Sequence, residues 1–128
     1  HVGDSRAYHF NTKNGLRRLT NDHTLAARLV ESNLLKSDEL YTSAKRNQHD
    51  RYIGKTYRVE VDVVTQRAEP GDCILLCTDG LWHLLHDDRI GDILSDGGDV
   101  QQLAQKLVDT AKAMGGTGNA SALVVRVL

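Results

Sequence analysis

The run Cys73-Ile74-Leu75-Leu76-Cys77 constrains the fold most, because every side chain in it is apolar. A strand with one face in water alternates apolar and polar residues, whereas a strand buried on both faces reads as a continuous apolar run. The run is far too short to cross a bilayer. The turn signal Glu69-Pro70-Gly71-Asp72 precedes it, so we expect a central strand that begins after a tight turn.

The two cysteines of this run are predicted to be reduced. Cys73 and Cys77 are four positions apart, which on a strand separates their Cα atoms by about 13 Å. A disulfide needs Cα atoms closer than about 7 Å. The spacing therefore predicts two buried thiols with neither a disulfide nor a shared zinc ion.

The rest of the chain alternates strand and helix signals. Residues 1–10 have the period of two of a strand, and the turn that ends in Asn14-Gly15 predicts a hairpin with the following segment. Val59, Val61 and Val63 also alternate with other side chains, as in a strand. Residues 123–128 predict a closing buried strand.

Three helices are predicted. The first covers residues 25–30, with Asp22 or Thr24 as its cap. Asp87 or Asp88 caps a short second helix, and Asp99 caps a third. The third helix has apolar residues at three- and four-residue spacing, at Val100, Leu103, Ala104, Leu107, Val108, Ala111 and Met114. Residues 32–57 are polar with weak periodicity, which predicts the most mobile or variable segment.

Length and charge limit the function classes. A chain of 128 residues has the size of one ordinary domain. Its 16 Lys and Arg residues balance 17 Asp and Glu residues, so the net charge of −1 predicts no nucleic-acid and no membrane partner. Neither a membrane-spanning run nor a basic, apolar leader is present, and we expect a cytoplasmic protein. The chain opens at His1 directly on a strand pattern, which suggests the later part of a longer domain.

Two carboxylates are candidate ligands for a divalent cation. Asp79 follows the buried strand directly, so its carboxylate is rigidly aimed, and rigid oxygen ligands suit Mg²⁺ or Mn²⁺. The pair Asp79-Gly80 is also common in plain turns, and the residues by themselves favour that interpretation. Asp4 lies on the first predicted strand, where an inward carboxylate is costly unless it is paired or binds metal. Arg6, two residues on, is a candidate ion-pair partner for Asp4.

Several short motifs occur in one order along the chain. They are Gly3-Asp4-Ser5-Arg6-Ala7-Tyr8, Leu19-Thr20-Asn21-Asp22-His23-Thr24, Arg46-Asn47, Cys77-Thr78-Asp79-Gly80-Leu81 and Gly115-Gly116 ahead of Asn119. This order resembles the metal-dependent protein Ser/Thr phosphatases of the PP2C (PPM) family. The resemblance covers essentially the whole of residues 1–128, as the C-terminal portion of such a domain.

The resemblance implies an α+β fold in which two antiparallel β-sheets pack as a sandwich flanked by helices, incomplete at its N-terminal side. It implies that Asp79 is a ligand of a catalytic pair of Mg²⁺ or Mn²⁺ ions and that Asp4 contributes to an additional metal site. Residues 32–57 would correspond to the flap that borders the active site. The partners implied are a phosphoprotein substrate or a kinase.

Two departures from the family pattern bear on activity. Gly118 stands where the family has an aspartate that binds the metal pair, and the family's N-terminal motifs do not occur in this sequence. Asp79 alone cannot hold two ions that each take about six oxygens. The two hypotheses are a phosphatase that needs the absent N-terminal half and a catalytically inactive, protein-binding relative. Missing strands also predict unpaired edges, and hence self-association, strand swapping or pairing with the absent segment.

Overall fold

The computed structural model describes all residues from His1 to Leu128. The strands are β1 (Arg6–Asn11), β2 (Gly15–Arg18), β3 (Cys73–Cys77) and β4 (Ala122–Arg126). The α-helices are α1 (Leu25–Glu31), α2 (Glu39–Thr42), α3 (Asp79–Trp82), α4 (Asp87–Ser95) and α5 (Val100–Ala113), and a 3₁₀ turn covers Ala44–Asn47. The chain divides into two compact units, of which unit 1 comprises residues 1–5 and 21–64, and unit 2 comprises residues 6–20 and 65–128.

Unit 2 contains a four-stranded antiparallel sheet in the order β2-β1-β3-β4. The strand predicted to be central is indeed flanked on both sides, by β1 and β4, with Leu75 opposite Tyr8 and Val124. The predicted α+β fold, with an antiparallel sheet and helices, is confirmed. These 128 residues form one such sheet, and the first strand begins at Arg6 rather than at the chain start.

The two faces of this sheet differ in burial. Tyr8 and Leu75 are fully buried on one face, where the helices of unit 2 pack. On the other face Leu76, Leu123 and Val125 remain 47%, 52% and 47% exposed. The continuous apolar run therefore identified the central strand. The prediction that residues 123–128 form a buried strand was wrong, because the side chains on one face of β4 are about half exposed.

Helix α5 follows its predicted signals closely. The Asp99 carboxylate accepts hydrogen bonds from the backbone N–H groups of Gln101 and Gln102, and Leu103 and Leu107 are buried. Gly115 has a φ of +96°, the left-handed conformation that ends a helix after its last turn. For α4 the predicted cap was wrong: His86 is the N-cap, and neither aspartate caps the helix with its side chain.

A buried polar network lies between the sheet and the helices of unit 2. The guanidinium of Arg6 lies 3.4 Å from the centre of the Trp82 ring and donates to the Tyr8 hydroxyl at 3.0 Å. The Tyr8 hydroxyl donates in turn to Asp87 at 2.8 Å. Burial raises the pKa of Tyr8 well above its ordinary range, so the hydroxyl keeps its proton and remains a donor. Asp87 thus serves as an acceptor for Tyr8 instead of capping α4.

Unit 1 is built around α1 and α2. The Thr24 hydroxyl caps α1 by accepting a hydrogen bond from the backbone N–H of Ala27. Of the two predicted caps, Asp22 and Thr24, the second is therefore confirmed. Ala26 and Ala27 of α1 pack with Leu40 of α2 in a small apolar cluster. The polar segment 32–57 therefore includes α2 and a 3₁₀ turn, and its identification as a flap remains a prediction.

The alternation at residues 59–64 does not produce a strand. This stretch has no regular secondary structure, and Val61 and Val63 are 54% and 87% exposed. A strand needs a neighbour to satisfy its backbone N–H and C=O groups, and no other strand of the chain pairs with this one. None of the helices has the length and apolar composition that a membrane-spanning helix needs.

Candidate functional site

Asp79 lies at the junction of β3 and α3. The strand ends at Cys77, Thr78 precedes the helix, and Asp79 is its first residue. Thr78 is fixed by two hydrogen bonds to Ser121: its backbone N–H donates to the Ser121 carbonyl at 3.1 Å, and its hydroxyl accepts the Ser121 N–H at 3.0 Å. The Asp79 side chain is 50% exposed, so a carboxylate on a firmly held backbone faces open space.

Gly80 is required because another backbone segment approaches it closely. A Cβ atom at this position would lie 2.1 Å from the carbonyl oxygen of Asn119 and 3.0 Å from its carbonyl carbon. Backbone atoms cannot move aside as the end of a flexible side chain can. The pair Asp79-Gly80 is therefore not a plain turn, since its glycine admits the loop that leads into β4.

Gly118 precedes the residue that touches Gly80. A Cβ at Gly118 would meet no atom within 4 Å, and its φ is not in the left-handed region. The position therefore has space for a larger side chain, and the contact between Asn119 and Gly80 places its loop beside Asp79. A carboxylate at residue 118 would be sterically permitted next to the candidate ligand.

His83 is a neighbour of Asp79 on the following turn. Its Nδ1 atom lies 3.9 Å from the Asp79 Oδ2 atom, which is beyond hydrogen-bonding distance. The side chain of His83 is 15% exposed and its ring packs edge-on against Trp82 at a centroid distance of 4.0 Å. The His83 imidazole therefore lies near the Asp79 carboxylate but forms no hydrogen bond with it.

Asp4 belongs to unit 1 and has a different environment. It follows Gly3, whose φ of +106° is a conformation that glycine adopts readily. The Asp4 Oδ2 atom lies 2.9 Å from the Nε2 atom of His49, and both residues line a cleft of about 440 Å³ together with Asn47 and Tyr52. His49 belongs to the segment predicted to be the flap, so Asp4 and part of that segment share one cleft.

Sequence reasoning missed a second polar cluster in unit 1, centred on Asp62. The Nε2 atom of His23 lies 3.0 Å from Asp62, and the guanidinium of Arg51 donates to the other Asp62 oxygen at 2.7 Å. The hydrogen bonds from His23 and then Arg51 hold the pKa of Asp62 below its usual value. No local sequence pattern predicts this contact, because 39 positions separate Asp62 from His23.

His23 also fixes the backbone next to Asp4. The Gly3 N–H donates to the Nδ1 atom of His23 at 3.1 Å, and the His23 N–H donates to the Gly3 carbonyl at 2.8 Å. Since Nδ1 accepts, Nε2 carries the proton and donates it to Asp62. His23 thus holds the turn from which the Asp4 side chain extends.

The predicted metal ligands do not form a complete coordination group in either unit. Within neither unit do three or more His, Cys, Asp or Glu side chains gather in an arrangement that could hold a metal ion. Asp79 belongs to unit 2 and Asp4 to unit 1. A divalent cation of this class takes about six oxygen ligands, so the residues of this chain do not by themselves fit the ion pair that the resemblance implies.

Comparisons with known proteins give the class. The family model described as protein phosphatase 2C matches residues 1–120. The chain is 32% identical over 124 residues to the serine/threonine phosphatase stp of Listeria welshimeri, covering 97% of this chain and 49% of that protein. The protein therefore belongs to the protein phosphatase 2C family.

Solved structures agree with this assignment. The Streptococcus agalactiae serine/threonine phosphatase matches 99% of this chain and 52% of its own, with a TM-score of 0.88 and 31% identity. The catalytic domain of the serine/threonine protein phosphatase PstP, solved in complex with 2 manganese ions, matches 100% of this chain and 52% of its own, with a TM-score of 0.84 and 28% identity. The chain spans about half the length of the relatives it matches.

Proposed function

We propose that these 128 residues are the C-terminal portion of a phosphatase domain that hydrolyses phosphoserine and phosphothreonine in proteins. On this proposal, full activity requires the polypeptide that corresponds to the other half of the relatives. The observation that carries it is the fixed backbone at Asp79 beside the Gly118 loop in a chain of this family. Asp79 and Asp4 are the two carboxylates that the chain would contribute to metal binding, with Mg²⁺ or Mn²⁺ as the ion.

The chain's own part in such a reaction is to position groups. The Thr78 and Ser121 hydrogen bonds fix the backbone of the Asp79 turn, and Gly80 lets the Asn119 backbone close over it. Such preorganisation is valuable because a carboxylate on a fixed backbone loses less freedom when it binds a charged group than one on a mobile loop. A phosphoprotein would meet Asp79 from the open side of its half-exposed side chain.

The presence of Gly118 favours a second candidate function. Because glycine offers no ligand at a position with space for one, the chain would bind a phosphoprotein or kinase without turnover. The two candidates differ in one measurable property, which is hydrolysis by the chain once it is joined to the missing half.

The test joins the chain to the segment of the Listeria relative that it does not cover. Release of phosphate from a phosphothreonine peptide would be measured with Mn²⁺ or Mg²⁺ added. We expect turnover that is lost in Asp79→Asn and retained in Asp92→Asn, a matched change of a carboxylate on α4. No turnover in the joined protein would contradict the phosphatase proposal, and turnover that appears only with Gly118→Asp would favour the non-catalytic alternative.

A further inference from the structure

A cleft in unit 2 shares no residue with the candidate functional site. It lies where β1 ends and β3 begins and has a volume of about 660 Å³. The hairpin turn 11–15 and residues 66–67 and 69–72 line it, together with His9 and Arg17. We refer to it as the hairpin cleft. Its size is typical of clefts that hold small ligands or short peptide segments.

Two buried polar residues that interact with each other form the floor of the hairpin cleft. His9 and Asp72 are 7% and 8% exposed, and the His9 Nε2 atom lies 2.7 Å from the Asp72 Oδ2 atom. The Glu69 N–H donates to the same Asp72 oxygen at 2.9 Å. The Glu69 N–H, then His9, and more weakly Lys13, hold the pKa of Asp72 below its usual value. The carboxylate at the floor is therefore already satisfied within the protein.

The rim of the cleft carries three exposed cations, Lys13, Arg17 and Arg67. None of them forms an ion pair in the structure. The guanidinium of Arg17 donates to the side-chain oxygen of Gln66, which is neutral and leaves the charge uncompensated. Glu69 is the one exposed carboxylate among the lining residues.

The position of Arg17 links the rim to the floor. Arg17 is the cross-strand partner of His9 in the β1–β2 hairpin, so the two side chains lie on the same face of the sheet. Gln66 donates from its amide to the Arg67 carbonyl at 2.6 Å, which connects the segment of Arg67 to Arg17. The two guanidinium-bearing residues thus approach one cleft from two chain segments.

We propose that the hairpin cleft binds a phosphate monoester carried by a peptide segment. A phosphate dianion accepts several charge-assisted hydrogen bonds, and the planar guanidinium of arginine matches its geometry with two parallel donors. A concave surface with an excess of one charge raises the local concentration of oppositely charged ligands. The inference rests on the proposed function for its ligand class, since a phosphoprotein binder meets phosphorylated peptides.

The hairpin cleft is distinct from the candidate catalytic residue. Asp72 precedes β3 and Asp79 follows it, and seven residues of extended chain span about 23 Å. Substitutions in the cleft should therefore leave the geometry of Asp79 unchanged. Binding at the cleft and hydrolysis at Asp79 can be measured as separate properties.

The test measures binding without turnover. The chain carrying Asp79→Asn is titrated into a labelled phosphoserine peptide, and inorganic phosphate and the unphosphorylated peptide serve as competitors. We expect the phosphopeptide to bind, and its affinity to fall about tenfold or more in the double variant Arg17→Gln, Arg67→Gln and with added salt. The matched control is Arg89→Gln with Lys112→Gln, two exposed cations elsewhere in unit 2, which should bind as the parent does.

Three results would overturn the inference: equal binding of both peptides, equal binding of inorganic phosphate and the phosphopeptide, or equal affinity of the cleft and control variants. Lys13→Gln, on an exposed turn, replaces the double variant if thermal unfolding shows that the latter does not fold. Phosphopeptide binding that persists in a joined protein without phosphatase activity would support the cleft and refute the proposed function. Phosphatase activity in a joined protein that binds no phosphopeptide at the cleft would support the proposed function and refute the cleft.

Discussion

The two ends of β3 each carry an aspartate, and their surroundings are opposite. At the entry to the strand, Asp72 is buried and accepts hydrogen bonds from the Glu69 N–H and from His9. At the exit, Asp79 is half exposed, and the Nδ1 atom of His83 lies 3.9 Å from its Oδ2 atom, beyond hydrogen-bonding distance. A carboxylate that stabilises a fold has its oxygens satisfied by nearby donors, whereas one available to a ligand keeps them open. The same strand therefore supplies a structural aspartate and an accessible one.

The largest effect should come from Gly80→Ala. The new Cβ would lie 2.1 Å from the Asn119 carbonyl oxygen, so either the loop or α3 must shift. We expect a loss of about 3 kcal/mol in the free energy of unfolding, measured by urea denaturation. Gly91→Ala is the control, since the nearest atom to its Cβ would be a Leu16 side-chain carbon at an ordinary 3.5 Å. An unchanged denaturation midpoint for Gly80→Ala would show that the exit of β3 is not tightly packed.

The second prediction compares the two aspartates directly. Asp72→Ala removes the acceptor for His9 and for the Glu69 N–H, so it should lower the Tm by several degrees. Asp79→Ala removes a half-exposed side chain and should change the free energy of unfolding by no more than about 0.5 kcal/mol. Thermal unfolding followed by circular dichroism checks both. Equal losses of stability in Asp72→Ala and Asp79→Ala would contradict the difference between the two ends of β3.

The third prediction concerns the loss of stability at acidic pH. The pKa of Asp72 is lowered in the folded protein, so its contribution to stability is present above the unfolded value of about 3.9 and is lost as the pH falls through the lower folded value. The stability difference between the wild type and Asp72→Asn should therefore shrink below about pH 4. Urea denaturation at several pH values measures it. A difference that stays constant between pH 7 and pH 3 would contradict the assigned role.

The smallest effect is expected for Gly118→Ala. No atom lies within 4 Å of the new Cβ, so the free energy of unfolding should change by about 0.5 kcal/mol or less. Together with the loss in Gly80→Ala, this result would show that the loop is tight at Asn119 and open one residue earlier. A loss of stability comparable to that of Gly80→Ala would mean that residue 118 has no space for a carboxylate.

Sequence patterns predicted the elements whose signals are local. The apolar run of β3 and the cap and spacing of α5 were sufficient, because each depends on neighbours within a few positions. The prediction failed at residues 59–64, where the pattern of a strand is present but a pairing strand is not. The residue pattern indicates which secondary structure a segment can form. A strand forms only where another strand pairs with it.

The candidate site was predictable in the identity of Asp79 but not in its surroundings. The motif order indicated Asp79, Asp4 and Gly118, yet the contact between Gly80 and Asn119 joins residues 39 positions apart in sequence. The pairs His23 with Asp62 and His9 with Asp72 are separated by 39 and 63 positions. Such contacts depend on how the elements pack, and a single sequence carries no local trace of them.

The position of Trp82 gives the protein a built-in optical reporter. It is the single tryptophan of the chain, it is 1% exposed, and the guanidinium of Arg6 lies against its ring. Its emission should therefore be that of an indole shielded from water and shift to longer wavelength when the sheet and helices of unit 2 separate. Because unit 1 has no tryptophan, a spectral change during denaturation would report the opening of unit 2, while circular dichroism follows both units.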